Sequence, residues 1–336
     1  MNLDTITQFL SQKNVPSFRL KQIKEAFFKQ SLSGFEEITN LPSDLRIELA
    51  QNFPWLSLKP LKSSGNLAEG VIKSLFGLSD GLKIESVLMV YHDWITACIS
   101  TMVGCPLNCS FCATGQIGFK RNLTAEEIID QIVYWNQYLK PSHKKISRIV
   151  FMGMGEPFLN WENTWKAIQI INDQDALNIG QRHITISTVG IVPAIKSFAD
   201  LDTQINLAIS LHSPFQKERE KIMPVAKNNP LGELIKAAGY YVQKTKRKLF
   251  FEYALMAGFN DRLQDAHELK KIFTSPLFHL NLISLNPTNS KLAAASPGKL
   301  NDFTKLLDKY RLPYTLRRSI GTRIQAACGQ LAGKEI

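Results

Sequence analysis

The run Cys105-Pro106-Leu107-Asn108-Cys109-Ser110-Phe111-Cys112 puts three thiols into eight residues, spaced C-x3-C-x2-C, and Ala113-Thr114-Gly115 follows at once. Thiolates are soft ligands that suit zinc or iron–sulfur clusters. A closed zinc site asks for a fourth Cys or a His close by, and none follows within reach. A three-ligand [4Fe-4S] cluster leaves one iron open to bind a small molecule, which makes three thiols a complete set. Buried structural cysteines occur singly far more often than at this density.

The 336 residues hold only five cysteines, a usage that fits a reducing cytoplasm better than a disulfide-stapled secreted protein. Met1 to Asn14 mix Asp4, Gln8 and Lys13 into the apolar positions, so no signal peptide is expected. Nor does any apolar run reach the length of a membrane span. A cytoplasmic protein without membrane contact is the expectation. With 44% hydrophobic residues the chain can bury one sizeable core and carry a small appended domain. Forty Lys and Arg against 29 Asp and Glu leave a net charge of +11, which favours polyanionic partners such as nucleic acid. The cations cluster as Lys144, Lys145 and Arg148, as Lys244, Lys246, Arg247 and Lys248, and as Arg317 and Arg318.

Residues 1–62 read as short helices punctuated by Pro16, Pro42 and Pro54, with apolar faces formed by Ile6, Phe9 and Leu10, by Leu20, Ile23, Phe27 and Phe28, and by Leu45, Ile47, Leu49 and Phe53. Arg19, Lys21, Lys24 and Lys29 between them suit a small accessory domain that contacts a nucleic-acid backbone. Residues 63–95 read as a β-hairpin extension, Val71 to Leu78 and Ile84 to Tyr91, turning at Ser79-Asp80-Gly81. A strand from Thr96 to Val103 leads into the cysteine loop. Thr124-Ala125-Glu126-Glu127 is a capping box opening a helix to about Leu139. Strands near 147–153, 183–188, 205–211, 249–256 and 279–285 then alternate with helices near 161–173, 191–199, 231–245, 262–273 and 298–310. Such alternation predicts an α/β fold, a partial (β/α)6 barrel over 96–310 with its chemistry at the C-terminal strand ends, and 311–336 adding a last strand and a cysteine loop.

Polar residues stand at those strand ends: Gly153-Met154-Gly155-Glu156-Pro157, Ser187-Thr188-Val189-Gly190, Ser210-Leu211-His212 and Asn286-Pro287. Glycines let a ligand approach the backbone, and Glu156 can accept from an ammonium group. The three-cysteine spacing, with an aromatic before the last Cys, resembles the radical S-adenosylmethionine (SAM) superfamily, and Gly153 to Pro157 resembles its GGE-type motif for the SAM amino group. Gly118-Phe119-Lys120-Arg121-Asn122-Leu123-Thr124 and Ala326-Ala327-Cys328-Gly329-Gln330-Leu331 narrow the likeness, which covers nearly the whole chain, to the RlmN and Cfr family of RNA methyltransferases.

That resemblance implies a [4Fe-4S] cluster on Cys105, Cys109 and Cys112, and SAM bound by Gly155, Glu156, Ser187, Ser210, Leu211, His212 and Asn286. It implies catalytic roles for Cys328, Cys98 and Glu85: Cys328 carries a methyl group taken from one SAM, and a second SAM yields the radical that activates it. Cys98 then takes a proton from the base and closes a disulfide with Cys328 to release the product, while Glu85 lies near the substrate adenine. The implied substrates are an adenosine in the peptidyl-transferase centre of 23S ribosomal RNA and an adenosine beside the anticodon of tRNA. The implied electron donor is a flavodoxin or ferredoxin, and the protein is expected to be a monomer. Pro157 matches RlmN, whereas His212-Ser213-Pro214 and Asn286-Pro287-Thr288 are compatible with Cfr, so methylation at C2 is the first expectation and at C8 the alternative. Arg323 stands where relatives carry an acidic residue. The rival from another class is a zinc-stabilised RNA-binding module.

Overall fold

The computed structural model describes residues 1–288, 290–317 and 320–333. Its strands are β1 Leu58–Asn66, β2 Val71–Leu78, β3 Lys83–Val90, β4 Ile95–Cys98, β5 Met102–Gly104, β6 Phe119–Asn122, β7 Arg148–Phe151, β8 Ile184–Thr188, β9 Asn206–Ser210, β10 Leu249–Leu255, β11 Phe278–Ser284 and β12 Tyr314–Arg317. Ten of them form one sheet in the order β1-β2-β3-β4-β7-β8-β9-β10-β11-β12. Pairing is parallel from β4 through β12, and β1 to β4 form an antiparallel meander on its edge. Six strand-then-helix units from β4 to β11, closed by β12, give the partial barrel that the alternation predicts.

The parallel strands carry near-continuous Ile, Val, Leu and Phe because helices cover them, as in Ile184, Ile186, Leu207, Ile209, Leu249 and Phe251, all fully buried. Thr124 and Glu127 make both halves of the capping box, and the helix Ala125–Leu139 buries Ile128, Ile129, Ile132 and Val133. The helices at the N-terminus, Leu3–Gln12, Phe18–Lys24 with a π turn through Lys29, and Ser43–Asn52, share one continuous hydrophobic core with the barrel. Asp130, from that capped helix, fastens them by accepting from Ser57 N–H at 2.6 Å and from the Met1 ammonium at 2.6 Å.

Several expectations need correction. The hairpin is a three-stranded meander: β1, rich in Lys and containing Pro60, runs across residue 62 and bulges between Pro60 and Lys62. The strand expected over 96–103 is two strands, because the chain leaves the main sheet after Cys98 and β5 pairs with β6 in a separate ribbon. Ile47 does not join its apolar face and is 53% exposed. Gln216–Ile222 is a helix, although its charged sequence gives no amphipathic signal. Arg318 lies outside the described residues.

Candidate active site

The β5–β6 connection carries the three thiols into a cavity at the C-terminal ends of the parallel strands. Gly104, at φ 75°, makes the entry: a Cβ there would lie 1.7 Å from the Gly118 carbonyl oxygen, which instead accepts from Cys105 N–H at 3.1 Å. Ser110 N–H donates to the Ile222 carbonyl at 2.9 Å, and Cys112 N–H to that of Cys109 at 3.1 Å. The cavity wall combines Cys105, Cys109 and Cys112 with Gly155, Glu156, Ser187, Ser210, His212, Asn286 and Cys328. Of the SAM-contacting residues implied by the sequence, Leu211 alone is missing from it; its side chain is fully buried in the core.

Burial pushes the Cys105 thiol up to about 12 and the Cys109 thiol well above its ordinary range, with Cys112 adding to both. The three are therefore electrostatic neighbours, but among the described residues no group of three His, Cys, Asp or Glu is gathered as ligands of a single metal ion. In a cubane cluster each thiolate binds a different iron, so the sulfurs spread around the cluster instead of converging on one point. Three thiols in one cavity wall are a donor set that fits such a cluster.

Glu156 is 3% exposed, and its two oxygens accept from Phe158 N–H at 3.2 Å and Val189 N–H at 2.8 Å. Burial raises it to about 7 against those hydrogen bonds, and among the described residues no cation pairs with it. A buried carboxylate of this kind fits the ammonium of an amino acid moiety. Gly155, at φ 106°, lets β5 close over it, since a Cβ would sit 2.7 Å from the Met102 side chain. His212 adopts φ 54°, packs edge-on against Phe111 at 4.7 Å, and accepts from Ala254 N–H at Nδ1. Burial, aided by the Arg219 charge, holds it down at about 3, so the ring is neutral and presents Nε2–H.

Cys98 ends β4, buried, and Cys328 sits on the terminal loop at the cavity mouth, reachable by solvent yet surrounded by protein. Burial raises both thiols, and the charge of Cys328 raises Cys98 further, so the two are neighbours. All five cysteines are free thiols. Asn286 donates to the Cys328 carbonyl at 3.0 Å. Glu85 does not line the cavity: 1% exposed, it pairs with Lys73 at 2.8 Å and accepts from Ala332 N–H at 2.7 Å and Gly333 N–H at 3.1 Å. Arg323 stands outside, 3.7 Å from Glu69.

Sequence reasoning missed Glu252 in the cavity and gave Arg317 no part there. Both line it, Glu252 accepting from Asn281 at 2.8 Å with Arg317 at 3.8 Å. A glutamate inside the apolar strand β10 was the available signal. Lys244 to Lys248, by contrast, precede β10 and so lie at the opposite end of the barrel from the thiols.

A partial parallel barrel whose cavity holds three thiols and an unpaired glutamate defines a radical SAM enzyme, and the Radical SAM superfamily model matches residues 99–269. Over the whole chain, the protein is 43% identical to the probable dual-specificity RNA methyltransferase RlmN of Alkaliphilus oremlandii, covering 100% of this chain and 97% of that one. The corresponding protein of Geobacillus kaustophilus is 41% identical over 100% of this chain and 92% of its own length. A radical SAM methyltransferase structure from Sphaerobacter thermophilus superposes with a TM-score of 0.94 at 39% identity, covering 99% of this chain and 98% of that one. The chain belongs to the RlmN family of radical SAM methyltransferases and uses a [4Fe-4S] cluster and SAM. Among the described residues no helix is long and apolar enough to cross a membrane.

Proposed function

We propose that the protein methylates C2 of an adenosine in the peptidyl-transferase centre of 23S ribosomal RNA, and an adenosine beside the anticodon of tRNA, through a methyl group carried on Cys328. The observation that supports this reading is that Cys328 lines the same cavity as the three thiols, on a loop whose carbonyl Asn286 holds, with buried Cys98 at the end of β4. C2 of adenine is electrophilic, so a plain nucleophilic attack on SAM cannot methylate it, and the carbon must arrive as a radical.

In this reading Cys105, Cys109 and Cys112 would hold the cluster, whose chemistry would be to supply the electron for reductive SAM cleavage. Glu156 binds the SAM ammonium, and Ser187, Ser210, neutral His212 and Asn286 offer hydrogen bonds to its other polar groups. Cys328 accepts a methyl group from one SAM as a thiolate, and a second SAM activates that group, so each turnover uses two. In this reading Cys98, as a thiolate, takes the proton from the base carbon and resolves the RNA adduct by attacking the Cys328 sulfur, breaking that sulfur's bond to the methyl carbon and leaving a transient disulfide for reduction. Glu85 acts through position, since its carboxylate fixes the backbone just after the Cys328 loop. A flavodoxin- or ferredoxin-type protein delivers the electron, the chain works as a monomer, and the exposed Lys21 and Lys29 of the N-terminal helices contact RNA phosphates.

Anaerobic reaction of the reconstituted enzyme with ribosomal and tRNA fragments, followed by digestion and mass comparison of methyl-adenosine isomers, tests the assignment. The expected product is 2-methyladenosine in both RNAs. The 8-methyl isomer alone would overturn the position, and unmodified tRNA the second substrate.

A further inference from the structure

The helix Gln216–Ile222 has the sequence QKEREKI and reads as a solvated surface turn. Arg219 departs from that reading, being 1% exposed. Its Nε donates to the Leu211 carbonyl at 3.0 Å, and its Nη2 to those of Ser210 at 3.2 Å and Val189 at 3.4 Å. Nη1 is buried and has no hydrogen-bond partner among the described residues. Nor, among the described residues, does a carboxylate form an ion pair with it: on its own helix Glu218 is engaged by Arg262 and Ser213, and Glu220 by Gln216. Peptide carbonyls satisfy N–H groups but carry no net charge. A buried cation is costly unless an anion stands close, so this one is either a defect or half of a pair.

The neighbouring thiol is that of Cys109, which packs on the apolar cluster containing Val189, whose carbonyl Arg219 holds, and Ile222, one turn on from Arg219 in the same helix. The helix also holds the cysteine loop, since Ser110 N–H bonds to Ile222, and Cys109 and Phe111 pack on the cluster of Val189, Ile222 and Met223. Arg219 is absent from the cavity lining while Cys109 is part of it. At 1% exposure the guanidinium is closed to an anion from solvent, whereas a charge on Cys109 acts on it through buried protein.

We propose that Arg219 is the permanent counter-charge of the Cys109 thiolate and the cluster it ligates, a fixed cation behind the cavity wall that favours the reduced, more negative cluster. The proposal rests on the reading that Cys105, Cys109 and Cys112 hold the cluster. Reduction adds one electron to the cluster and moves no proton at Arg219. Arg219 acts through Cys109 and is a tuning residue, with no contact to substrate.

The test is a redox titration, followed by electron paramagnetic resonance, of reconstituted wild type, Arg219→Lys and Arg219→Gln. Lys keeps the charge and should stay within about threefold of the wild-type equilibrium constant for reduction. Gln keeps donors but loses the charge, and should lose at least about tenfold, equivalent to about 59 mV toward negative potential for one electron. A wild-type potential in Arg219→Gln, or equal shifts in both variants, would overturn the proposal. Because the buried side chain also braces three carbonyls, a second comparison uses the gain in melting temperature on reconstitution. That gain should be smaller in Arg219→Met than in wild type, and an equal gain refutes the pairing. Wild type that takes up no iron would instead defeat the cluster assignment itself.

Discussion

Two loops meet at the cavity, joined by a main-chain bond from Ala113 N–H to the Gly329 carbonyl at 2.7 Å, and they differ in how far side chains hold them. The cluster loop, 105–112, is fastened by main-chain bonds from Cys105 to Gly118, from Ser110 to Ile222 and within Cys109 to Cys112. The terminal loop, 321–333, is gripped largely by side chains from remote strands and loops. Asn286 holds Cys328, Thr114 holds Leu331 at 2.6 Å, Lys73 holds Gln325 at 3.2 Å, and Glu85 holds Ala332 and Gly333. Main-chain bonds survive almost any substitution, whereas a side-chain bond is lost with one mutation. In the proposed reading the loop that would ligate the cluster is built to stay, and the loop that would carry the methyl group is tethered at points that can be cut one at a time.

The contrast is broken most completely at the thiols. Cys109→Ala should abolish the brown chromophore and bound iron, because a three-thiolate site has no spare ligand; full iron content in that variant would sink the assignment. On the other loop, Cys328→Ala should retain iron and methylate no RNA. Cys98→Ala should instead trap protein on RNA, visible on a denaturing gel as a slow band that ribonuclease removes. Free methylated RNA at the normal rate from Cys98→Ala would contradict the paired-cysteine mechanism.

A smaller effect is expected at the main tether. Glu85→Ala leaves the Lys73 cation buried and unpaired, which costs about 3–5 kcal/mol. Thermal unfolding should register that loss while iron binding persists and methylation falls; loss of iron first would mean that the loops are not independently held. At Glu156 the expected change depends on pH. Its raised value means that protonation below about 7 removes the charge proposed to bind the SAM ammonium, so SAM affinity should fall by up to tenfold per unit as pH drops from 7 toward 5. Stability of the SAM-free protein moves the other way: this group stabilises below its ordinary value of 4.5 and loses that contribution as pH rises through about 7. Glu156→Gln should flatten both profiles, which isothermal titration and melting curves can check. Smallest of all, Arg323→Glu on the exposed side of the terminal loop should change stability by no more than about 0.5 kcal/mol.

Much of this molecule is legible from local pattern. The capping box at Thr124, the apolar strands and the cysteine spacing are short-range signals; the capped helix and the strands form as read, and the three thiols line one cavity. What is illegible depends on partners far along the chain. Glu85 reads as a hairpin carboxylate until Lys73 and the amides of residues 332 and 333 surround it. Arg219 sits in a charged heptapeptide, and only the packing of that helix under the cysteine loop buries it. Leu211 belongs to a polar triplet, but its side chain, just past the end of β9, is buried in the core, and its carbonyl accepts from Arg219. The first strand was hidden because lysines and a proline argue against a strand, and they do so correctly for any position but an edge.

That edge has a consequence beyond the chemistry. An open sheet ends in a row of unpaired peptide groups that could recruit a strand from another molecule and seed aggregates. On β1 the residues from Lys59 through Lys62 are exposed, Pro60 presents no N–H, and the bulge beside it spoils the regular spacing a docking strand would need. A few poorly strand-forming residues thus let a ten-stranded sheet remain unclosed in a crowded solution without becoming a template for its own precipitation.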